Sequence, residues 1–515
     1  MDATRYRGIL KKIFGCSVLF MSLFGGSFGS THEHSNSLAR EPIQSIGDMQ
    51  TRGVVRGNGG ASQGYILFSP LLSTTTYLID RKGRVVHTWE SEFAPGASVY
   101  LLDNGHLLRC GRQPDVPIFH GGGEGGRIQE FTWDGTLVWD WILASKERLQ
   151  HHDIEPLPNG NVLLISWERK SSEQTVRAGR NPNLVSSAGL WPDCILEVQP
   201  HRPNEGRIVW EWHLWDHMIQ DYDPNRENYG DVSEHPELID INGDRQLDRS
   251  SDEQLRRLKA LGYVGSATDA KDLRADFAHT NSIAYNPRLD QIALSVLTFN
   301  EIWIIDHSTT TKEAAGHTGG RAGRGGDLLY RWGNPKTCHR GAIENQQLFA
   351  QHDARWIPDG YPGAGNILVF NNGSDRLAGG YSSVIEIRPP LDANWQYSIR
   401  ARKRFRPDEP VWEYTAPNKR SFFSDFISGA QRLANGNTFI CSGPQGRFFE
   451  VTAKGDIVWE YYNPYSGDAP NPAGDPPYSV FRTEHIPPDH PALANRRLRP
   501  LDPQPPHLEP GASRR

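Results

Sequence analysis

A short aromatic pattern that recurs six times along the chain constrains its fold more than any other feature. In each copy, apolar residues precede closely spaced aromatic residues, as in VVHTW and LVWDW. Several copies follow a turn that contains glycine, which is typical of two strands joined by a hairpin. The six copies end at Trp89, Trp141, Trp212, Trp332, Tyr414 and Tyr461.

A second hairpin pattern follows most of these copies. It reads YLLDNGHLL from Tyr100 and PLPNGNVLL from Pro156, and it recurs from Ala284, Trp356 and Arg432. Two hairpins per repeat make a four-stranded antiparallel sheet, and six such sheets around one axis make a six-bladed β-propeller. The sequence therefore predicts an all-β fold, in preference to an ordinary β-sandwich.

The predicted propeller is one long domain, over residues 63–490. A polar and partly helical insertion, at about residues 216–276, separates two of its blades. Residues 30–62 are polar and without pattern, so we expect a flexible lead-in there and a disordered tail over residues 491–515.

The N-terminus has the composition of an export signal. Basic residues among the first twelve precede the apolar run IFGCSVLFMSLFGG, and small residues at Ser27 and Gly29 fit a cleavage site. We expect residues 1–29 to be a signal peptide that directs the protein to the periplasm or the medium. An uncleaved membrane anchor is the alternative, because the apolar run is of borderline length for spanning.

Charge and cysteine content exclude several classes of function. The formal net charge is −6 and no long basic run interrupts the body of the chain, which argues against nucleic-acid binding. Beyond the signal the chain holds four cysteines, and none has CxxC spacing, so neither a zinc nor a redox motif is predicted. Those residues are either reduced or joined in long-range disulfides, at Cys110, Cys194, Cys338 and Cys441.

The hairpin turns align the chain with itself. The residue seven positions before each turn is histidine in three successive repeats, a small residue in two and arginine in the last. Equivalent residues of a propeller lie at one height around the axis, so we expect these side chains to meet in the central channel. The aligned residues are Ala97, His152, His279, His352, Ser428 and Arg482.

Three converging imidazoles suit either a metal ion or nucleophilic catalysis. Inter-blade spacing and the lack of a HExxH motif or carboxylate cage favour the nucleophile, so we predict no metal and no cofactor. Asp353, one residue beyond His352, should point to the other face of its strand and should not pair with it.

The histidine motifs resemble the arylsulfotransferase family of exported bacterial enzymes. The stretches HHDIEPLPNGNVLL, HTNSIAYNPRLDQIALSV and QHDARWIPDGYPGAGNILVFNNG occur in the family's order, and the similarity covers roughly residues 64–488. The resemblance implies a six-bladed propeller that moves a sulfuryl group from a phenolic sulfate ester to a phenol. It also implies small-molecule substrates and no nucleotide sulfate donor.

The resemblance assigns roles residue by residue. His352 would be the nucleophile that is transiently sulfurylated. His279 and Asn281 would bind the sulfate and handle the phenolic proton, and His152 would be a further ligand or proton donor. His151 is a weaker candidate than its neighbour, because it alternates to the other face of the strand.

One position departs from the family pattern. Where the family places an arginine after the His-x-Asn motif, this chain has Leu297. Arg482 is the predicted replacement, with Arg355 and Arg109 as weaker candidates. Without that charge the chain could be a propeller that binds aryl sulfates without transferring them, or a metal-dependent hydrolase. A quinone-dependent dehydrogenase is disfavoured by the blade count of six.

Overall fold

The computed structural model of the protein describes residues 51–57, 59–244, 255, 256, 258, 259, 263, 264, 268–374, 376, 379–392, 396, 397, 403–467 and 478–507. The predicted signal peptide, the first part of the predicted lead-in and residues 508–515 lie outside the described residues. Most of the described chain forms strands, which are grouped below by blade.

Strand β1 (Gly53–Gly57) precedes blade 1. The first strands of blade 1 in the sequence are β2 (Tyr65–Pro70), β3 (Thr75–Asp80) and β4 (Val85–Glu90). Blade 2 contains β5 (Pro95–Leu101), β6 (Leu107–Arg112), β7 (Gly126–Phe131) and β8 (Leu137–Ile142). Blade 3 contains β9 (Arg148–Pro156), β10 (Val162–Glu168), β11 (Asp193–His201) and β12 (Glu205–His213). The insertion then carries β13 (Met218–Ile219) and β14 (Ile239–Asp240), which pair in parallel.

Blade 4 contains β15 (Thr280–Asn286), β16 (Gln291–Val296), β17 (Glu301–Asp306) and β18 (Tyr330–Trp332). Blade 5 contains β19 (His352–Trp356), β20 (Ile367–Asn371), β21 (Ser383–Ile387) and β22 (Trp412–Tyr414). Blade 6 contains β23 (Gly429–Arg432), β24 (Thr438–Ser442), β25 (Arg447–Val451) and β26 (Ile457–Tyr462), and β27 (Val480–Ile486) returns to blade 1. Short α-helices occupy Ser172–Arg177, Ala270–Ala275 and Thr311–Ala314.

The six sheets close into a ring, which confirms the predicted all-β six-bladed propeller. Strand β27 pairs antiparallel with β2, so the C-terminal strand completes the blade that the N-terminal strands begin. Strand β1 adds a fifth strand to blade 6. The innermost strands β5, β9, β15, β19, β23 and β27 each contact the next around the axis.

The recurrent aromatic residues join neighbouring blades. In each blade a tryptophan on the fourth strand from the axis donates its indole N–H to a backbone carbonyl of the next blade, where that blade's third and fourth strands connect. These indole locks are Trp89 to Thr132 (3.1 Å), Trp139 to Glu205 (2.8 Å), Trp212 to Gly326 (2.7 Å), Trp332 to Pro407 (2.8 Å), Trp412 to Ala453 (2.9 Å) and Trp459 to Arg81 (2.9 Å). The sixth lock returns to blade 1 and closes the circle.

The ends of the domain are more ordered than the sequence predicts. Part of the expected flexible lead-in forms β1. Residues 491–507, expected to be a disordered tail, lie along blade 1, where the Leu501 N–H donates to the Val85 carbonyl at 2.8 Å. Gln504 accepts a hydrogen bond from the Val85 N–H at 2.8 Å. The tail therefore packs because it supplies partners to the backbone of β4.

All four described cysteines are buried free thiols, so the disulfide alternative is not realised. Among the described residues, no helix has both the length and the apolar character needed to cross a bilayer.

We expect Trp139→Phe to lower the free energy of unfolding by about 1–3 kcal/mol, because the Glu205 carbonyl loses its buried donor. Urea denaturation monitored by circular dichroism would measure the change. Trp141→Phe is the matched control, since that indole is only partly buried on the same strand. If both variants lose the same free energy of unfolding, the hydrogen bond of the Trp139 indole does not stabilise the contact between the blades.

Candidate active site

The channel residues lie at irregularities in the innermost strands. The pairing of β9 with β10, of β15 with β16 and of β19 with β20 shifts register near the aligned histidines. A positive φ occurs at four of the six aligned positions: Ala97 (108°), His152 (53°), His279 (50°) and Ser428 (92°). Such backbone is strained for residues other than glycine and is often found at functional sites.

Two of the predicted histidines meet directly in the channel. The imidazole centroids of His152 and His279 lie 4.6 Å apart, and both side chains are buried. Between them lies the phenol of Tyr263, a residue of the insertion. Its hydroxyl is 3.0 Å from His152 Nε2 and 2.9 Å from His279 Nε2. The insertion therefore contributes a side chain to the centre of the propeller.

A buried carboxylate sets the tautomer of His279. Asp276 Oδ2 lies 2.5 Å from His279 Nδ1, and Asp276 Oδ1 accepts the indole N–H of Trp167 at 2.9 Å. The Nδ1–H of neutral His279 donates to Asp276, so its Nε2 presents a lone pair to the phenol. The Asp–His–phenol chain has the arrangement of a general base that receives a phenolic proton.

His152 completes this chain as a donor. Because the Tyr263 hydroxyl donates to His279, its oxygen accepts from His152 Nε2. The Nδ1 of His152 then accepts from His151 Nδ1, which lies 2.8 Å away. Burial lowers the pKa of His152 well below its usual value, and the neighbouring imidazoles of His279, His151 and His352 lower it further. His152 is therefore neutral and holds a phenol oxygen by a hydrogen bond.

His352 presents an unshared lone pair. Its Nδ1 lies 2.8 Å from Asn372 Oδ1, and the Asn372 amide is fixed because its Nδ2 donates to the carbonyls of Ser424 and Ile427. The proton therefore sits on Nδ1. Nε2 is buried and has no hydrogen-bond partner in the described part of the chain. Burial, with a smaller contribution from the charge of His279, lowers the pKa of His352 to about 3 against the hydrogen bond to Asn372.

His151 and Asn281 lie beside this cluster. His151 stacks on Trp167, with ring centroids 4.0 Å apart, and supports His152 from behind. Asn281 donates its amide to the Gln351 carbonyl at 2.8 Å, which ties blade 4 to the residue before His352. Its Oδ1 is buried and unpartnered within the described residues.

The predicted arginines bind carboxylates. Arg482 forms a two-bond pair with Asp153, at 2.6 and 2.7 Å, and hydrogen bonds to the Tyr100 hydroxyl. Arg355 pairs with Asp353 and Glu484 at 2.8 and 3.0 Å. Asp353 thus faces away from His352, as predicted from strand alternation. Arg109 donates to the Phe93 carbonyl and lies on the second strand of blade 2.

Arg482 and Arg355 line a cavity of about 420 Å³ together with Glu155, Tyr285 and Glu484, and neither Arg109 nor any of the three channel histidines lines it. The aligned residues therefore do not form one ring of contacts. The histidines lie in an imidazole layer of the channel, and Arg482 lies in a separate layer of ion pairs. Leu297, at the position where an arginine was expected, is buried, and its N–H lies 3.4 Å from the His279 carbonyl.

Glycines let the backbone approach the imidazoles. Gly123 has a φ of +75°, and a Cβ there would collide with the His152 ring. A Cβ on Gly122 would lie 2.6 Å from the Tyr263 ring and 3.0 Å from His279. The HGGG stretch that precedes blade 2's third strand is therefore part of the wall of the cluster.

A group suited to a metal ion lies elsewhere. Ligand atoms of His217, His317 and Asp327 all lie within 4.8 Å of one another, and among the described residues the channel histidines form no such group. This geometry gives no support to the metal-dependent alternative in the channel.

Sequence reasoning missed Tyr263, Asp276 and Asn372. Asp276 stands three residues before His279, and Asn372 directly follows the hairpin that begins at His352. Both are therefore close in sequence to the histidine motifs and could have been found from them. Tyr263 had no such signal, because it stands in the insertion and reaches the channel through tertiary packing alone.

Buried imidazoles that meet at the axis of a six-bladed propeller are suited to nucleophilic and acid–base chemistry. The chain belongs to the arylsulfotransferase (ASST) family, whose model matches residues 66–466. Arylsulfate sulfotransferase AssT of Escherichia coli O6:H1 (strain CFT073) is 23% identical over 409 residues, which cover 76% of this chain and 61% of that protein. This chain thus matches less than two thirds of that relative's length.

Solved structures also show similarity, at low identity. A protein of unknown function from Bacteroides caccae is 12% identical with a TM-score of 0.42, over 82% of this chain and 99% of that one. Virginiamycin B lyase from Staphylococcus aureus is 10% identical with a TM-score of 0.34, over 82% and 87% of the two chains.

We expect Arg482→Met to lower the free energy of unfolding by about 3–5 kcal/mol, because it leaves the Asp153 carboxylate buried without its cation. Adding Asp153→Leu should restore much of the loss. Arg177→Met, which breaks an exposed pair with Glu173, serves as the control and should cost about 0–1 kcal/mol. If Arg482→Met keeps full stability but loses sulfate-ester binding, then Arg482 is a substrate ligand and not a structural cation.

Proposed function

We propose that the protein is an aryl-sulfate sulfotransferase, which moves a sulfuryl group from a phenolic sulfate ester to a phenol through a sulfohistidine at His352, without a nucleotide donor. The observation that carries the proposal is the buried Nε2 of His352, unpartnered within the described chain and held unprotonated by the hydrogen bond from Nδ1 to Asn372. Membership of the arylsulfotransferase family gives the reaction class.

In the first half-reaction, His352 Nε2 attacks the sulfur in line with the departing phenol oxygen. The new S–N bond forms as the S–O bond breaks, and the Asn372 amide oxygen stabilises the positive charge that develops at Nδ1. The transition state should be loose, by analogy with phosphoryl transfer, so placement and fixed dipoles supply most of the catalysis.

Proton transfer belongs to His279. Protonated and paired with Asp276, it gives a proton to the leaving phenolate. In the second half-reaction the neutral imidazole takes the proton of the incoming phenol, whose oxygen His152 holds. The same residue therefore acts as acid and then as base, as a reaction with a symmetric pair of half-steps requires.

The oxygens of the sulfuryl group need donors. Asn281 stays our predicted donor, since its amide nitrogen carries two N–H groups and the Gln351 carbonyl accepts one of them. Arg482, Arg355 and His151 stay predictions as substrate ligands. The donors of Arg482 engage Asp153, and that carboxylate offsets its charge, so Arg482 would have to leave Asp153 to bind a sulfuryl oxygen.

The substrates we propose are a phenolic sulfate ester and a phenol. The N-terminal sequence, with basic residues before an apolar run, supports action after export to the periplasm or the medium.

Protein treated with 4-nitrophenyl sulfate should carry one sulfuryl group on His352, because that residue has the free lone pair. Quenched-flow mass spectrometry would locate the adduct, which His352→Asn should abolish and His485→Asn, a buried histidine outside the cluster, should retain. Nitrophenol release should accelerate on adding a phenol and be indifferent to a chelator. Donor binding without release would favour the non-catalytic alternative, and loss of release with chelator would favour a metal-dependent hydrolase.

The rate of His352 sulfurylation should be independent of pH from about 5 to 8, because its pKa is lowered to about 3 and the imidazole stays neutral throughout. A donor with a good leaving group, such as 4-nitrophenyl sulfate, isolates this step from proton donation. Rapid-mixing measurements of the nitrophenol burst would give the profile. A rate that falls severalfold as pH drops through about 6.5 would mean that the nucleophile titrates as an ordinary histidine.

A further inference from the structure

We propose that Tyr263 is an internal acceptor, a phenol of the chain itself that lies in the acceptor position and receives the sulfuryl group from His352 when no small phenol competes for it. The proposal rests on the proposed function and extends its acceptor class to a protein tyrosine.

The contacts of Tyr263 are those that a phenolic acceptor needs. Its oxygen accepts from His152 Nε2 at 3.0 Å and its proton points to His279 Nε2 at 2.9 Å, with Asp276 behind His279. The ring packs on Phe426, with centroids 5.2 Å apart, and the backbone at Gly122 closes against its other side. A small phenol in this channel would have to use the same two imidazole nitrogens.

Other buried tyrosines do not share this environment. Tyr330 donates to the Arg406 carbonyl at 2.7 Å, and Tyr397 donates to Gln291 Oε1 at 2.7 Å. Those acceptors are amide oxygens, which satisfy a hydroxyl but cannot take its proton. Tyr263 alone among these three faces a base that is itself oriented by a carboxylate, and a purely structural hydroxyl would not require one.

His352 and Tyr263 are both held by the segment that contains Phe426 and Ile427. The Asn372 amide that binds His352 donates to the Ile427 carbonyl at 2.9 Å, and the Tyr263 ring packs on Phe426. In the transfer, the bond from sulfur to His352 Nε2 breaks and a bond from sulfur to the Tyr263 oxygen forms. The phenolic proton passes to His279 Nε2, and His352 returns to its neutral state. The donor phenol has already left in the first half-reaction.

The test is to incubate the full chain with 4-nitrophenyl sulfate in the absence of added phenol and to map the modified residues by mass spectrometry. We expect a sulfuryl group on the Tyr263 peptide of the wild type and of the control Tyr397→Phe. In Tyr263→Phe that modification should be absent, whereas the adduct on His352 should persist and last longer. The KM for a small phenol should also fall severalfold in Tyr263→Phe, because the internal competitor is gone.

The outcomes separate the two proposals. An adduct on His352 with an unmodified Tyr263, and an unchanged KM for phenol in Tyr263→Phe, would overturn the internal acceptor and leave the sulfotransferase intact. Equal modification of exposed tyrosines such as Tyr222 and Tyr229 would also overturn it, since transfer would then be unselective. The absence of both nitrophenol release and any adduct would overturn the sulfotransferase and the internal acceptor together.

Discussion

The architecture depends on one repeated interaction, the indole hydrogen bond that joins the fourth strand of each blade to the next blade. A four-stranded sheet buries too little surface to be stable alone, so each blade needs its neighbours. The indole lock supplies both apolar area and a directional hydrogen bond to a backbone carbonyl of the next blade. Two contacts close the ring at blade 1. The last lock runs from Trp459 to Arg81, and strand β27 pairs with β2.

This closed ring allows the innermost strands to hold strained backbone. Positive φ at His152 and His279 costs of the order of 1–3 kcal/mol each, which a ring of interlocked blades can support. The strain turns two imidazoles toward one another and toward the insertion. In the other layer of the channel, Arg482 and Asp153 form a buried ion pair and neutralise each other. The site is therefore rigid and enclosed, as suits a loose transition state that depends on placement.

Much of this could be predicted from residues. Six aromatic copies gave the blade count, and the spacing from His152, His279 and His352 to their hairpin turns placed all three histidines on the axis. The sequence did not predict the partners of Arg482. Equal spacing fixes the distance of Arg482 from the axis but does not show which carboxylates face it. Asp153 and Arg482 lie 329 residues apart, so their pairing was invisible in the sequence. The packing of the tail could not be predicted for a similar reason, since its partners are backbone groups of blade 1.

The sequence by itself determined the all-β propeller, the family and the equivalent strand positions of the three histidines, because periodicity and turn chemistry are local and repeat themselves. Only the tertiary structure decided which nitrogen of each imidazole carries the proton. Asn372 sets the tautomer of His352 and Asp276 sets that of His279, each by a single hydrogen bond. Only the tertiary structure, too, placed Tyr263 between two histidines, since the insertion follows no repeat and its path is fixed by packing over the channel.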